Sequence, residues 1–386
     1  MSRRLEVDHA APHPAATSER ASRRHSACER SLPPKRRSMG LGCTEPRYVT
    51  GPAAHASAVP RCFDLECTMG LAVVSKGEVR PIRSLVYVGA ANESAVTRAV
   101  EADGDAMFLD LEEPQFPYGP TERQQARQAV GEYLSSLTDC GQRTQHFVRV
   151  NAPTTGLTIA DLAAVMTPAL TGVLLPKTSG ASDIHMLDGI LTCMETEHGL
   201  PVGSTQIFPL LETTEGIRDA FQVAAASPRV TYMGGMTSRF GDIYQAIRYR
   251  WTPRGDESLY LRSKVLMDAR SAGIRYPVSG VWAGRPNDAA GIRAWAESQR
   301  DLGYFGIFTD PDGIGLAHEV FTPTAEDMEF WAGVIACGES ASRGGDSTFL
   351  WPDGQRSGLH AAYVESARMN LQWARELGLG PTASSS

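Results

Sequence analysis

Residues 206–242 read QIFPLLETTEGIRDAFQVAAASPRVTYMGGMTSRFGD. The stretch opens on an apolar run, Ile207 to Leu211, of the length expected for a strand buried on both faces. It stops at a carboxylate, Glu212, and passes through Thr213 and Thr214 into helical periodicity over 217–226. Ser227-Pro228 ends that helix, and a second apolar run, 230–233, breaks into glycines and polar residues that end at Asp242. The order is strand, carboxylate, helix, strand, polar loop, carboxylate. In a parallel α/β sheet both carboxylates lie at C-terminal strand ends, where such folds place their chemistry.

The same alternation runs outward in both directions. Apolar runs occur at 82–88, 106–111, 147–150, 172–175, 207–211, 230–233, 278–282 and 306–308. Helical periodicity fills the gaps at 93–102, 122–137, 159–166, 183–197, 216–226, 259–272 and 289–301, with an eighth helix at 325–335. Strict strand–helix alternation calls for a parallel sheet with right-handed crossovers. Eight repeats between 79 and 337 match a (β/α)8 barrel, or TIM barrel. A doubly wound open sheet is the alternative. YVGAANES after the first strand lacks GxGxxG spacing, which argues against a dinucleotide-binding domain.

On either side of the barrel the texture changes. Residues 1–78 are rich in Ala, Arg, Ser and Pro, without strand or helix periodicity, and are expected to be disordered. Glu6, Asp8, Glu19 and Glu29 weaken a transit-peptide reading, and a start at Met39 or Met69 would make this stretch a translated leader. Past 338, GESASRGGDS reads as a flexible linker to a helix over 359–377 that packs on its own barrel or on a neighbouring subunit.

Bulk composition narrows the function. The chain has 386 residues, with 42% hydrophobic and 21% charged, as an ordinary globular protein has. A net charge of −7 argues against a nucleic-acid surface. No uncharged apolar run reaches membrane-spanning length, and no apolar stretch follows Arg3 and Arg4 to make a secretory signal. Seven cysteines, with Cys62 and Cys67 lacking a second pair for zinc, fit reduced thiols in a cytoplasmic protein.

The strand ends carry the candidate chemistry. Arg83 enters strand 1, and strand 2 ends in LDLEEP, with Asp110 and Glu112 on one face and Glu113 beside them. Strand 3 offers Arg149 and Asn151, strand 4 Lys177, and strand 5 Glu212. Strand 6 offers Ser238, Arg239 and Asp242, and strand 8 Asp310 and Asp312. Carboxylates without clustered His or Cys suit a hard, oxygen-preferring ion such as Mg²⁺. Arg149 supplies a planar fork for a substrate carboxylate. A metal and an arginine converging on one small acid suit cleavage or formation of a C–C bond next to a 2-oxo or 2-hydroxy acid. Each group also has a plain structural alternative. Arg149 with Glu112 makes a rim ion pair, Glu212 caps the next helix, Lys177 is a solvated charge, and Asp310 and Asp312 are turn residues.

Taken together, RSLVYVGAANE, LDLEEP, FVRVN, GVLLPKTSGASDI, PLLETTEGI, AAASPRV and HEVFTPTAED resemble the HpcH/HpaI aldolase and citrate lyase β-subunit family over about residues 80 to 335. The resemblance implies a (β/α)8 barrel, Mg²⁺ dependence and Claisen- or aldol-type cleavage. The implied substrates are CoA thioesters such as citryl-, malyl- or citramalyl-CoA, or 4-hydroxy-2-oxo acids. It implies a trimer or hexamer, with Glu212 as the first metal carboxylate and Arg149 gripping the acid. By the same resemblance Arg83 opens strand 1, and Asp110 and Glu112 order the site. The chain departs from the pattern after strand 6, where the usual second metal aspartate aligns with Ser238 or Arg239 and the nearest carboxylate is Asp242. It departs again at Gly89-Ala90 and at Asp310. The expected activity is a Mg²⁺-dependent lyase whose ion is held by Glu212 and Asp242. Catalysis is expected from Arg149, Glu112 and Asp110, and substrate contacts from Arg83, Arg149 and Lys177. The alternatives are a thioesterase on the same scaffold and a metal-free binding subunit.

Overall fold

The structure, a computed structural model, describes residues 79–89, 93–112, 119–137, 143–285 and 288–380. The expected disorder of 1–78, Cys62, Cys67 and Glu113 lie outside the described residues. Eight parallel strands form one sheet: β1 (Ser84–Gly89), β2 (Ala106–Asp110), β3 (Gln145–Arg149), β4 (Gly172–Leu175), β5 (Gln206–Leu211), β6 (Gly234–Gly235), β7 (Val278–Ser279) and β8 (Gly306–Thr309). Neighbours follow chain order from β1 to β6, while β8 pairs with both β1 and β7. The seam lies between β6 and β7, where Val278 N–H donates to Met233 O at 3.2 Å. A Cβ on Gly234 would stand 2.2 Å from Val278 O, so glycine lets the two ends meet. The sheet therefore curls into a (β/α)8 barrel.

Helices α1 (Glu93–Glu101), α2 (Pro120–Ser136), α3 (Thr158–Val165) and α4 (Ala181–Glu197) follow the first four strands. The helix expected over 216–226 is two pieces, α5 (Thr214–Arg218) and α6 (Ala220–Ala225), which break at Asp219. Further on come α7 (Asp242–Ile247), α8 (Leu259–Ser271), α9 (Ala289–Leu302) and α10 (Ile314–Phe321). The helices form where apolar residues recur on one face: α4 buries Ile184, Leu187, Leu191 and Met194. α2 starts with proline at its first position and buries Ala126, Val130 and Leu134. No helix among the described residues is long and apolar enough to cross a membrane.

Strand alternation sorts the core into two layers. Val86, Met107, Val148, Val173 and Ile207 pack outward with helix residues such as Val130, Leu162, Leu187 and Val265. Leu85, Phe108, Phe147, Leu174, Phe208 and Phe308 fill the barrel interior. There Phe208 lies edge-on to Phe147 and Phe308, with centroids 6.3 and 5.8 Å away, and stacks on Tyr232 at 5.9 Å. The interior is a packed floor beneath the rim, as in other barrels of this size.

β6 and β7 are shorter than their apolar runs suggest. Residues 230–233 stay buried beside β5, and the backbones meet at the Ile207–Val230 bridge and at Ile207 N–H donating to Arg229 O at 2.8 Å, without a continuous ladder. The arginine of AAASPRV is structural. Arg229 is buried, forks onto Glu195 with both bonds at 2.7 Å, and meets Asp188 at 2.5 Å.

The stretch expected to be a flexible linker has regular structure. Helix α11 (Ala325–Ser342) begins at a Thr324–Asp327 capping box and runs seven residues past the expected end at 335 (342 − 335). A hairpin of β9 (Thr348–Leu350) and β10 (Arg356–Gly358) follows, then α12 (Ala361–Glu376). Val334 of α11 and Val364 and Ala367 of α12 share one small core, joined by Phe330 and Phe349. This apolar contact keeps the glycines and serines of the stretch in an ordered connection. The far end of α12 packs on the barrel: Trp373 lies edge-on to Phe305 at 5.0 Å, and Glu376 accepts bonds from Arg275 and Tyr276.

One buried group ties this packing to pH. His146 on β3 faces Tyr133 of α2, 3.0 Å from its hydroxyl. Burial, with the Arg80 charge adding to it, pulls the His146 pKa from 6.5 down to about 4. The unfolded chain takes up that proton near pH 6.5, so between pH 6.5 and 4 the unfolded state binds more protons and stability falls as pH falls. By linkage the loss is at most about 3 kcal/mol. Urea unfolding at pH 7 and 4.5 should show wild type losing about 1–3 kcal/mol more than His146→Gln. Equal losses would contradict this.

Candidate active site

The inward face of each strand continues past its aromatic floor into polar residues. On β2 the inward series runs Phe108, Asp110, Glu112; on β3, Phe147, Arg149, Asn151; on β5, Phe208, Leu210, Glu212. Pairing of Gly89 with Asp110, Asp110 with Arg149 and Arg149 with Leu174 sets these groups at one height on the C-terminal rim.

A continuous chain of charge results. Arg149 donates from Nε and Nη2 to the two oxygens of Asp110, at 2.7 and 2.6 Å. Its Nη1 lies 3.2 Å from Glu112 Oε2, and Glu112 Oε1 lies 3.1 Å from Lys177 Nζ. The Lys177 backbone N–H donates to Glu212 Oε1 at 2.8 Å. Asp110 is fully buried and also accepts the Glu112 N–H at 3.0 Å. Burial alone would lower the Arg149 pKa. The hydrogen bonds and charge of Asp110, with the charges of Glu112 and Glu212, outweigh it and raise it.

Glu212 is the least comfortable charge in the group. Burial raises its pKa to about 7. The Lys177 N–H and the Arg149 charge oppose that rise, while Glu112 and Asp242 add to it. A buried carboxylate surrounded by like charge is stabilised by a cation, and Mg²⁺ is ordinarily held by one or two carboxylates completed by water and substrate. Among the described residues no group of three or more His, Cys, Asp or Glu is placed to hold a metal by itself. The oxygen donors of Glu212, with Asp242 close by, fit Mg²⁺ and not zinc.

The helix-cap alternative for Glu212 falls to its neighbour. Thr213 is the N-cap of α5, and its Oγ1 accepts Gly216 N–H at 2.9 Å. A Cβ on Gly216 would stand 2.1 Å from Thr178 O, so ETTEG is the sequence that lets the β5 and β4 loops touch. The rim-pair alternative for Arg149 and Glu112 describes contacts that are present, within a larger network.

Arg83 is a correction. It precedes β1, at the end of the barrel opposite Glu212, and donates to both oxygens of Asp105, at 2.7 and 2.8 Å, and to Thr322 Oγ1 at 2.8 Å. A residue before a parallel strand lies at its N-terminal end, so Arg83 is a lower brace, away from Arg149, Glu112 and Glu212 at the upper rim. Asp242 begins α7, is exposed, and acts on Glu212 through its charge. Arg239 is drawn to aromatic rings, 4.5 Å from the Phe240 centroid and 5.6 Å from Trp251. Asp310 accepts Gly313 N–H at 2.9 Å, and Asp312 pairs with Arg98 at the surface, both as turn residues.

Sequence reading passed over two supports of the site. Asp161 of α3 is buried and accepts both the backbone and side-chain N–H of Asn151 at 2.8 Å while pairing with Arg127. An aspartate on the apolar side of TIADLAAV was its available signal. The backbone N–H of Lys177 has no signature in sequence. Beside Glu112 and Lys177 opens a cavity of about 430 Å³, walled by Pro153, Leu157, Leu175 and Met186 and reaching Arg123. That is room enough for an extended small molecule.

A family model described as HpcH/HpaI aldolase/citrate lyase matches residues 83–309. Citrate lyase subunit beta of Escherichia coli (strain K12) is 30% identical over 275 residues, covering 71% of this chain and 88% of that protein. A (3S)-malyl-CoA thioesterase of Cereibacter sphaeroides is 29% identical over 304 residues, covering 78% and 97%. The protein CitE of Mycobacterium tuberculosis, solved with magnesium, acetoacetate and coenzyme A, superposes with a TM-score of 0.56 at 21% identity. It covers 77% of this chain and 98% of that one, which shows the shared barrel fold.

Removing the arginine leaves Asp110 buried without its counter-charge. Arg149→Met should therefore destabilise the fold by about 3–5 kcal/mol in urea unfolding, and Asp110→Asn in the same chain should recover part of that loss. A cost below about 1 kcal/mol would show the pair to be solvated rather than buried.

Proposed function

Because the chain belongs to the HpcH/HpaI aldolase/citrate lyase family, we propose that it is a Mg²⁺-dependent carbon–carbon lyase acting on a CoA thioester of a 3-hydroxy dicarboxylic acid. Citryl-, malyl- and citramalyl-CoA are the substrates in view. The observation that carries this reading is the buried Glu212 joined through Lys177 and Glu112 to an arginine fork on one rim.

Glu212 and Asp242 are the residues that would hold Mg²⁺. When bound, the ion supplies positive charge to the oxygens of the reacting acid. Arg149 turns a rigid fork toward that acid. Asp110 holds its Nε and Nη2, so the Nη1 edge beside Glu112 meets the substrate carboxylate. Glu112, held between Arg149 and Lys177, accepts the proton of the 3-hydroxyl group. As that O–H becomes a carbonyl, the adjacent C–C bond breaks. Its electron pair passes to the thioester carbon fragment, which takes up a proton to become the acyl-CoA product. The other product is a 2-oxo acid. The buried floor of phenylalanines beneath the site excludes water from below.

A thioesterase is the second reading, favoured by the similarity to the (3S)-malyl-CoA thioesterase over nearly all of that protein's length. Products separate the two. A lyase releases a 2-oxo acid and acetyl-CoA, while a thioesterase releases free CoA and the intact hydroxy acid. With Mg²⁺ and each of the three thioesters, a 2-oxo acid should accumulate, and Glu212→Gln should cut its rate by about 100-fold or more. Free thiol with no 2-oxo acid would replace the lyase reading with the thioesterase. Neither product from any thioester would leave a binding subunit.

A further inference from the structure

Lys177 has a backbone conformation that its residue type does not favour. Its φ is +50°, in the left-handed region, where a side chain crowds the following carbonyl. The neighbours on both sides are fixed. Pro176 precedes it, Thr178 Oγ1 donates to Leu175 O at 2.9 Å, and Thr213 Oγ1 donates to Thr178 O at 2.9 Å. A strained residue persists where its surroundings over-determine it, and such residues gather at functional sites. From this one position the backbone N–H reaches Glu212 and the ammonium reaches Glu112.

We propose that Lys177 is a positioning residue with two separable halves. Its left-handed backbone aims an N–H that fixes one oxygen of Glu212 for the metal, and its ammonium independently holds Glu112 for proton transfer. The inference rests on the lyase reading of the same rim. It adds that the two carboxylates, one for the metal and one for the proton, are set by a single residue through different parts of that residue.

The halves separate by substitution. Lys177→Gly and Lys177→Asn remove the ammonium and tolerate positive φ. Lys177→Val and Lys177→Ile remove the same ammonium, but β-branching opposes positive φ, so the peptide turns away from Glu212 to relieve strain. Thermal melts establish that all four are folded. Calorimetric titration of Mg²⁺ into the metal-free proteins then reads the backbone half, and turnover of the best thioester reads the ammonium half.

In all four variants kcat should fall by a similar factor, about 10- to 100-fold, because Glu112 loses one of its two holders and keeps only Arg149. Mg²⁺ affinity should stay within about threefold of wild type in Gly and Asn, and weaken roughly 5- to 30-fold in Val and Ile, the cost of restoring the left-handed peptide. Lys177→Arg, which keeps a cation, should restore part of kcat. Equal Mg²⁺ affinity across the four would overturn the backbone half, and an unchanged kcat in Lys177→Gly would overturn the ammonium half. Wild-type protein that binds no Mg²⁺ overturns the lyase reading itself, and this inference with it. Wild-type binding without thioester cleavage overturns the ammonium half and the lyase reading, while the affinity comparison still decides the backbone half.

Discussion

Unbalanced charge at the barrel rim is the constraint on which the site depends. Four carboxylates, Asp110, Glu112, Glu212 and Asp242, act around two cations, Arg149 and Lys177. Asp110 takes most of the Arg149 fork, and Glu112 is shared between Arg149 and Lys177. Glu212 is left buried, with one backbone N–H on one oxygen, and the Arg149 charge only partly offsets its burial and the like charge of Glu112 and Asp242. Burying a partly compensated carboxylate is costly, and a cation beside it lowers that cost. The proposed function draws on this pattern, with a divalent ion and an anionic substrate at one rim.

Ion pairs elsewhere in the barrel have the opposite character. Arg83 is matched by Asp105, Arg127 by Asp161, and Arg229 by Asp188 and Glu195, with the backbone N–H groups of Gly203 and Thr205 completing Glu195. Each set ties neighbouring elements of the barrel together. Matched buried pairs of this kind fix geometry, while the carboxylates at the rim outnumber the cations beside them. The aromatic floor below the rim serves both: it holds the strands apart by packing and keeps the charged layer above a dry base.

Period-two alternation made most of this legible in the sequence. Inward Phe108 predicts inward Asp110 and Glu112, inward Phe147 predicts Arg149, and inward Phe208 predicts Glu212. Arg83 was already legible at the entry of strand 1, and what the sequence did not carry is its fixed contact with Asp105 and Thr322 there. The ordered hairpin after α11 depends on partners distant in sequence, Phe349 packing with Phe330 and Val364, which local pattern does not carry. Lys177 was the least legible of all. Its identity was visible, but its positive φ and its backbone bond to Glu212 come from the loops around it.

Titration of Mg²⁺ into the metal-free protein by calorimetry, wild type beside Glu212→Gln, tests the central claim most directly. Saturable binding to wild type should weaken by about 100-fold or more when the Glu212 carboxylate becomes a neutral amide. Equal binding by the two proteins would place the ion elsewhere and contradict the reading of this rim as a metal-dependent site.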